Sequence, residues 1–364
     1  MKIGILGGGQ LARMIALAGY PLGLKFIVLD PDINAGAGGL SEHLLGAYDD
    51  PALLAELAEK ADVVTYEFEN VPAHVAEFLS SHTKVYPPAN ALAVAQDRLL
   101  EKNFFNDLDI RTAPFKAIDN LQDLQQAMSE IGYPAILKSR RMGYDGKGQV
   151  VLKSADQLES AWQSMAGAVS IVEGFVPFQR EVSIIAARSP SGEIAYYPLS
   201  ENQHRGGILR VAECRDNDPE QAMAENYVRL LLEKLDYVGV IALELFDIDG
   251  ELLANEFAPR VHNSGHWSIE GAETSQFENH LRAILDLPLG STKPRGFTGM
   301  VNFIGGLADD AKLLSIPNAH LHLYDKTPRK GRKVAHATVR ADSESDYQSA
   351  LRDLANLALT VDDS

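Results

Sequence analysis

The chain has very little cysteine: Cys214 is the one cysteine among its 364 residues. A lone thiol cannot form an internal disulfide or a multi-cysteine zinc site, and it fits a reducing compartment. Long apolar runs are missing as well, since no stretch of about 18 charge-free apolar residues occurs. Gln10 and Arg13 interrupt the apolar start, which lacks a strongly basic leader. We therefore expect a soluble, cytoplasmic protein that does not associate with membranes.

Positive charge is scarce. The 33 basic residues face 50 acidic ones, which gives a formal net charge of −17. Such an excess of negative charge repels a phosphate backbone at long range and argues against nucleic acid as a partner. The 46% of hydrophobic residues is ordinary for a folded globular protein, and the length predicts two or three domains. Any local basic cluster therefore needs an explanation of its own.

The N-terminal region begins as a βαβ unit of a parallel sheet. Residues 2–6 and 25–30 are apolar runs typical of strands, and the glycine cluster between them leads into an apolar-periodic helix. The Gly-x-Gly-x-x-Ala pattern that begins at Gly7, with Asp30 about twenty residues on, satisfies the dinucleotide-binding fingerprint. The same glycines are needed wherever a strand turns sharply into a closely packed helix. We therefore expect no nicotinamide cofactor, and Asp30 as a strand-end cap.

Two acids follow a third predicted strand at residues 61–65. Glu67 and Glu69 stand at the carboxyl end of that strand, which is the edge where open α/β sheets bind ligands. They are therefore candidates to line a binding pocket. A solvated loop is the alternative interpretation.

A basic, glycine-rich loop follows the strand predicted at residues 134–138. Lys138 ends this strand, and residues 140–149 contain three glycines and three further cations. Such a loop is suited to closing over phosphates. It is not a Walker A loop, because Lys147 is followed by Gly148 instead of serine or threonine. A mobile hairpin tip is the alternative.

The next predicted strands carry two more acids. Residues 169–172 lead to Glu173, and Glu181 opens the strand-like run 182–186. An edge strand that passes an adenine offers backbone groups to the base, and a carboxylate further on accepts hydrogen bonds from ribose hydroxyls. Each of these features is generic by itself.

A hairpin with acids inside both strands is predicted around Asp249 and Gly250. Glu244 and Glu256 stand in apolar surroundings, where unpaired carboxylates are costly unless they bind a cation. An odd-length connection, or a bulge near Asp249 and Gly250, would set them opposite each other on one face, whereas a plain two-residue loop would put them on opposite faces. With Asn255 as a further oxygen donor, they suit Mg²⁺ held against substrate phosphates. Two ordinary strand glutamates are the alternative.

This order of features resembles the ATP-grasp superfamily. Within it, the chain most resembles the N5-carboxyaminoimidazole ribonucleotide synthetase family, through the strings GGGQLARM, TYEFENVP, RRMGYDGKGQ, NEFAPRVHNSGHW and YDKTPRKGRKVAH. The resemblance implies an α/β protein with the ATP-grasp fold, a Rossmann-like parallel-sheet domain at its N-terminus and a small β-rich domain at its C-terminus. The implied domains are residues 1–100, residues 101–290 with a lid at about 115–176, and residues 291–364.

In that family, which serves purine biosynthesis, bicarbonate attacks the γ-phosphate of ATP. The resulting carboxyphosphate delivers CO₂ to the exocyclic amine of 5-aminoimidazole ribonucleotide. The resemblance implies the same activity here, with ATP and Mg²⁺ as cofactors. It also implies a homodimer and a transient handover of the product to the mutase that follows.

The site residues that the resemblance implies fall into four groups. Those expected to contact ATP are Arg98, Lys138, Gly143, Tyr144, Asp145, Gly146, Lys147, Gly148, Gln149, Glu173, Gly174, Phe175, Val176, Glu181, His204, Asn255 and Glu256. Glu244 and Glu256 would hold the metal. The catalytic residues around bicarbonate would be Lys138, Arg260, His262 and Asn263. The ribonucleotide would be bound by Gln10, Glu67, Tyr144, Asp145, Arg260, Ser264, Lys326 and Arg332.

The basic segment 326–333 stands out in so acidic a chain. We assign Lys326 and Arg332 to the 5′-phosphate of the ribonucleotide, because the planar fork of arginine suits bidentate phosphate binding and lysine adds a point charge. A solvated basic loop accounts for Arg329 and Lys330, since neighbouring positions cannot all point into one pocket.

Two alternatives compete with this function. One is an ATP-grasp ligase with another acceptor, such as a formate-dependent glycinamide ribonucleotide transformylase or a biotin carboxylase, and the string VHNSGHW argues against both. The other is a nucleotide-binding module without turnover. The presence of Lys138, Glu244, Glu256 and Arg260 argues against that module.

Overall fold

The computed structural model describes residues 1–143 and 148–362. Its N-terminal part is a parallel sheet of order β3-β2-β1-β4-β5 flanked by helices. The elements are β1 (Lys2–Leu6), α1 (Gln10–Gly19), β2 (Lys25–Asp30), β3 (Glu42–Leu45), α2 (Pro51–Lys60), β4 (Val63–Tyr66), α3 (Ala73–Ser80), β5 (Lys84–Val85) and α4 (Ala89–Ala95). The first two predicted strands are confirmed, and the third lies slightly later than predicted.

The middle part begins with a helix and a four-stranded antiparallel sheet of order β6-β9-β7-β8. Its elements are α5 (Arg98–Asp107), β6 (Phe115–Ile118), α6 (Leu121–Ile131), β7 (Ala135–Ser139), β8 (Gln149–Leu152), α7 (Leu158–Ser164) and β9 (Ser170–Gly174). This sheet has a small core of its own, which includes Leu124, Leu137 and Val172. It lies within the range predicted as the lid.

A large antiparallel sheet follows, with β15-β14-β10-β12-β13-β16-β18-β17 as its order and β11 paired to β10. Its elements are β10 (Arg180–Arg188), β11 (Ile194–Tyr196), β12 (Leu199–Arg205), β13 (Ile208–Arg215), α8 (Gln221–Lys234), β14 (Gly239–Ile248), β15 (Glu251–Ala258), α9 (Ser268–Gly271), α10 (Gln276–Ile284), β16 (Phe297–Ile304), α11 (Asp310–Leu314), β17 (Ala319–Leu323), β18 (Lys333–Ala341) and α12 (Glu344–Leu359). The predicted hairpin is β14 and β15.

One hydrophobic core joins the N-terminal sheet to the large sheet. Ile3 and Phe26 belong to the same buried cluster as Trp267, Leu281 and Met300, and α1 packs against α10. The large sheet also continues past the predicted limit at residue 290, because β13 pairs with β16. The α/β class is confirmed, and the three domain limits stay predictions.

Among the described residues, no helix combines the length and the apolar character that a membrane span requires.

Candidate active site

A cavity of about 640 Å³ lies where the three sheets meet. It is lined by many of the side chains that the sequence singled out. They are Gln10, Glu67, Arg98, Lys138, Gly143, Gln149, Glu181, His204, Glu244, Asn255, Glu256, Arg260, His262 and Asn263. Residues separated by more than two hundred positions in the chain therefore share one pocket.

Other predicted site residues lie away from the cavity wall or beyond what the structure describes. Gly148, Glu173, Gly174, Phe175, Val176, Ser264, Lys326 and Arg332 are not among the lining residues. Tyr144, Asp145, Gly146 and Lys147 lie outside the described residues. Their contacts with ATP or ribonucleotide stay predictions.

The glycine turn after β1 holds a carboxylate instead of a dinucleotide phosphate. Glu67 accepts hydrogen bonds from the backbone N–H groups of Gly9 at 2.5 Å, Leu11 at 3.1 Å and Ala12 at 3.1 Å. A Cβ at Gly9 would lie 2.4 Å from Glu67 Oε1, so glycine is required for this close approach. Glu67 thus satisfies three backbone N–H groups at the start of α1 that a pyrophosphate would otherwise use.

Asp30 caps the second strand, as predicted. Its carboxylate accepts hydrogen bonds from the Gly8 N–H at 2.7 Å and from the Tyr48 hydroxyl at 2.9 Å. Its other oxygen accepts the Asp32 N–H at 2.8 Å, so both carboxylate oxygens have hydrogen-bond partners within the protein. The fingerprint residues therefore stabilise the turn itself.

A β-bulge places the two hairpin glutamates opposite each other. The turn is a two-residue one, since Ile248 pairs with Glu251, and it alone would pair Glu244 with Asn255. The register shifts beyond Leu245, however, so that Glu244 faces Glu256. The predicted pairing is confirmed. The predicted place of the irregularity, near the turn, is wrong: the extra residue is Asn255, directly before the glutamate that it re-aims.

The oxygen donors at this hairpin fit a hard divalent cation. Glu244 and Glu256 face one cavity, and Oδ1 of Asn255 is buried without a hydrogen-bond partner among the described residues. Within that same part of the chain, no three His, Cys, Asp or Glu side chains are grouped so as to hold a metal ion unaided. Mg²⁺ commonly takes one or two carboxylates and completes its shell with water and substrate phosphates. The residues present therefore suit Mg²⁺ in the presence of a nucleotide.

Each hairpin glutamate has a cationic or histidine partner. Arg98 donates to Glu256 at 2.8 Å, and His262 Nε2 lies 3.1 Å from Glu244. Burial raises the pKa of Glu244, but the neighbouring His262, His204 and Arg260 outweigh this effect and lower the pKa to about 2. Glu244 is thus a carboxylate throughout the physiological pH range.

Lys138 shares a buried carboxylate with a second lysine. Glu173 lies 3.2 Å from Lys138 and 3.3 Å from Lys102, and its side chain is 4% exposed. Burial raises the pKa of Glu173, but the two lysines and Arg98 lower it to about 2. The side chain of Glu173 therefore orients Lys138 toward the cavity, and a contact between Glu173 and ATP would have to come from the backbone.

The start of α5 anchors the basic loop. Asp97 caps this helix by accepting the Leu99 N–H at 3.0 Å. The same carboxylate accepts two hydrogen bonds from Arg140, at 3.0 and 2.8 Å, and one from Arg141 at 3.0 Å. Arg140 lines the cavity. One aspartate thus connects the helix that carries Arg98 to the loop expected to cover phosphates.

The residues expected around bicarbonate lie side by side. Arg260 pairs with Glu69, which confirms a pocket-lining position for that strand-end acid. Asn263 donates to Asn302 at 3.1 Å and accepts from it at 2.7 Å, so its amide is fixed in orientation. Ser264 is fully buried, and its hydroxyl lies 2.9 Å from Nδ1 of His262, so its contact with the substrate stays a prediction.

The two predicted phosphate ligands differ in their surroundings. Lys326 donates to Gln10, which connects the basic segment to the glycine turn. Burial lowers the pKa of Lys326 to about 8. Arg332 donates to the Thr327 carbonyl at 3.2 Å and is half-buried.

Sequence reasoning missed several cavity residues. Glu101, Phe178, Phe246, His266 and Lys333 all line the pocket. Phe178 and Phe246 stack with ring centroids 4.8 Å apart. Lys333 belongs to the basic segment and could have been found there, whereas the aromatic residues carry no spacing signal.

The matches to known protein families support the general class of protein that the fold and the site indicate. The ATP-grasp domain matches residues 103–277. It is preceded by the ribonucleotide synthetase preATP-grasp domain at residues 1–96 and followed by the phosphoribosylaminoimidazole carboxylase C-terminal domain at residues 298–350. Fold and site thus define an ATP-grasp protein, as the resemblance predicted.

Individual relatives are similar over the full length. The N5-carboxyaminoimidazole ribonucleotide synthase of Pseudomonas aeruginosa is 50% identical, covering 97% of this chain and 98% of the relative. The crystal structure of the synthetase from Thermus thermophilus has a TM-score of 0.94 at 52% identity, covering 98% of both chains. The synthase from Aspergillus clavatus, in complex with ADP and 5-aminoimidazole ribonucleotide, has a TM-score of 0.91 at 31% identity, covering 99% of both. The chain belongs to the N5-carboxyaminoimidazole ribonucleotide synthase family.

Proposed function

We propose that the protein carboxylates 5-aminoimidazole ribonucleotide to N5-carboxyaminoimidazole ribonucleotide, using ATP and bicarbonate, in purine biosynthesis. The observation that carries this proposal is one cavity that unites a carboxylate pair, Glu244 and Glu256, with the cations Lys138 and Arg260. The Aspergillus clavatus relative, which was crystallised with ADP and the ribonucleotide, supports both substrates.

The first step is the transfer of the γ-phosphoryl group to bicarbonate. A bicarbonate oxygen forms a bond to the γ-phosphorus while the bond to the bridging oxygen of ADP breaks. Such a step needs positioning and charge neutralisation more than covalent help. Lys138 and Arg98 supply positive charge, Glu244 and Glu256 would hold Mg²⁺, and this ion, when bound, neutralises charge that develops on the phosphate oxygens.

The second step releases CO₂ beside the ribonucleotide. The carbon–oxygen bond of carboxyphosphate breaks, phosphate leaves, and the exocyclic amine attacks CO₂ and loses a proton. Arg260, His262 and Asn263 would surround the anhydride, and their position in the lining of the same cavity as Glu244 supports this assignment. Because carboxyphosphate hydrolyses readily, closure of the basic loop over the cavity would exclude water.

The ribonucleotide lies at the other end of the site in this proposal. Lys326, which donates to Gln10, would bind its phosphate together with Arg332, and Gln10 would line its pocket. Glu67 would line its pocket while it caps α1. The phosphate is remote from the reacting amine, so these contacts anchor and orient the substrate.

Location and assembly form a further part of the proposal. The single cysteine supports a reducing, cytoplasmic location. A homodimer is proposed by resemblance to the family, and light scattering coupled to size-exclusion chromatography would test it. A transient handover of the product to the following mutase is proposed on the same basis.

Release of ADP, measured with a coupled assay, tests the function. The proposal predicts release that depends on both bicarbonate and 5-aminoimidazole ribonucleotide. Release supported by formate and glycinamide ribonucleotide instead would favour the other ligase. The absence of any turnover would favour the binding module.

A further inference from the structure

A chain of four polar side chains runs from the interior of the large sheet to Glu244. Asn202 on β12 donates to the Ser183 hydroxyl on β10 at 3.0 Å, and Ser183 donates to the Ser264 hydroxyl at 2.6 Å. The Ser264 hydroxyl lies 2.9 Å from Nδ1 of His262. His262 Nε2 in turn lies 3.1 Å from Glu244.

Burial makes this chain a closed system. Ser183 and Ser264 are fully buried, and Asn202 is 7% exposed. The two serine hydroxyls are shielded from water, so each of them finds its hydrogen-bond partners among the neighbouring protein groups. The direction of each hydrogen bond is therefore determined by its neighbours.

The direction can be followed from the amide end. In this orientation the NH₂ group of Asn202 donates to Ser183, and Oδ1 of Asn202 is buried without a hydrogen-bond partner among the described residues. The Ser183 oxygen then accepts, and its own hydrogen goes to Ser264. Ser264 then has its single hydrogen left for Nδ1 of His262. A neutral imidazole whose Nδ1 accepts must carry its hydrogen on Nε2.

A second donor supports the same tautomer independently. The backbone N–H of Ser264 also points at Nδ1 of His262, at 3.4 Å, because the imidazole caps the short 3₁₀ turn at Asn263–Gly265. A hydrogen on Nδ1 would face both of these donors. The local backbone therefore disfavours that tautomer whatever the orientation of the Asn202 amide.

We propose that Ser183 and Asn202, acting through Ser264, are positioning residues that hold His262 in the Nε2–H tautomer so that it donates to Glu244. This inference rests on the proposed function for its kinetic consequence. It assigns a role to two residues that contact neither nucleotide nor ribonucleotide. With His262 as donor, one oxygen of Glu244 is fixed and the other is left to face the cation and the phosphates.

The kinetic test uses Ser183→Ala and Asn202→Asp. The first removes a hydroxyl. The second replaces the donor by an acceptor of nearly the same shape, so Ser183 would turn its hydrogen away from Ser264. His262 contacts Glu244 directly, and a residue that hydrogen-bonds to a metal ligand typically contributes about 10–100-fold to activity. Ser183 and Asn202 act on His262 through Ser264, so we expect kcat to fall by up to about tenfold in both variants while the KM for ATP changes little.

Ser200→Ala is the matched control. Ser200 is a fully buried serine on the same strand as Asn202, and its hydroxyl accepts from the Trp267 indole at 2.7 Å outside this chain of side chains. We expect its kcat to stay close to that of the wild type even if its melting temperature falls. Equal losses of kcat in Ser200→Ala and Ser183→Ala would overturn the proposal, because a general packing defect would then explain both.

The spectroscopic test needs no turnover. In protein labelled with ¹⁵N-histidine, long-range ¹H–¹⁵N correlations distinguish the two neutral tautomers, and His262→Gln identifies the signal. We expect Nε2–H in the wild type and a mixture of tautomers in Asn202→Asp. An Nδ1–H ring or an imidazolium in the wild type would overturn the proposal even if the enzyme is active. An inactive wild type would instead overturn the proposed function and leave the tautomer measurable.

Discussion

Within the site, individual charges are balanced in pairs before any substrate is bound. Glu256 pairs with Arg98 and Glu69 with Arg260. The side chains of Arg98 and Arg260 are both 17% exposed, so removal of either carboxylate leaves a largely buried arginine without its ion-pair partner. Single substitutions here will therefore act on two residues at once, so each prediction needs a neighbouring control.

Glu256→Gln tests the metal assignment at residue level. A neutral amide cannot balance a divalent cation, and a loss of about 3 kcal/mol of transition-state stabilisation corresponds to a fall in kcat of about a hundredfold. Steady-state kinetics at several Mg²⁺ concentrations would measure it. The control is Glu251→Gln, on the same strand, whose side chain is exposed and pairs with Arg111. Equal kinetics in the two variants would remove Glu256 from the metal site.

Lys326 provides a pH prediction. Burial lowers its pKa to about 8, against the opposing effect of Glu67 and with the help of the nearby cations Arg332, Lys333 and Arg329. A lysine binds a phosphate only in its charged form, which is lost as the pH rises through the pKa. We therefore expect kcat/KM for the ribonucleotide to fall as the pH rises through about 8.

Two variants distinguish the titration of Lys326 from that of other groups in the site. Lys326→Met should lower kcat/KM for the ribonucleotide at pH 7 and abolish the step near pH 8, with little change in the KM for ATP. Arg329→Ala should keep the step. If Lys326→Met keeps the same pH profile as the wild type, another group titrates and the phosphate assignment is wrong.

At residue level the sequence predicts the polar side chains that line the cavity better than it predicts the residues that hold them in place. Lys138 and Glu181 stand at the ends of predicted strands, Arg260 stands in the string NEFAPRVHNSGHW, and all three line the cavity. Lys102 and Ser183 stand in no such pattern, because their partners are distant in the chain and only folding brings them together. Burial strengthens these contacts, and it depends on the tertiary fold.

Among the elements, the hairpin and helix α5 are mutually dependent. Glu101 accepts the Phe257 N–H at 2.7 Å, and Lys102 donates to the Asn255 carbonyl at 2.6 Å. One turn of α5 thus holds the bulged strand on both sides of Glu256. The sequence predicts the hairpin but cannot locate the bulge, since a turn-side irregularity and one at Asn255 give the same pairing of Glu244 with Glu256.

Lys102→Met tests this support. Its loss leaves Glu173 buried with one lysine fewer, and breaking a buried ion pair costs about 3–5 kcal/mol. Because Lys138 still faces Glu173, we expect the free energy of unfolding, measured by urea denaturation, to fall by about 3 kcal/mol, the lower end of this range. The control Lys116→Met breaks the exposed pair with Glu130, for which about 1 kcal/mol or less is expected. Equal free energies of unfolding in the two variants would contradict the role of Lys102 in holding this part of the site together.

Over the whole molecule, the predicted division into domains is only partly reflected in the packing. The four-stranded sheet has its own core, whereas the N-terminal sheet shares one with the large sheet. The family resemblance implies the three regions, but it does not reveal which of them share a core. That information lies in tertiary contacts such as α1 against α10.

The shared core predicts cooperative unfolding of the first and last thirds of the chain. Chains of this size often unfold in several steps. We expect that the N-terminal sheet and the large sheet nevertheless melt together in calorimetry, and that any separate transition belongs to the four-stranded sheet. Leu281→Ala, which opens a cavity between α1 and α10, should lower the main transition as a whole. A separate early transition of the N-terminal sheet would contradict this prediction.

The central claim is that bicarbonate reacts with ATP before the ribonucleotide is carboxylated. Bicarbonate labelled with ¹⁸O tests it most directly, because breaking the carbon–oxygen bond of carboxyphosphate leaves the attacking oxygen on phosphate. Mass spectrometry of phosphate formed in the presence of 5-aminoimidazole ribonucleotide should show one oxygen derived from bicarbonate. Phosphate that carries an oxygen from solvent water and none from bicarbonate would contradict the account.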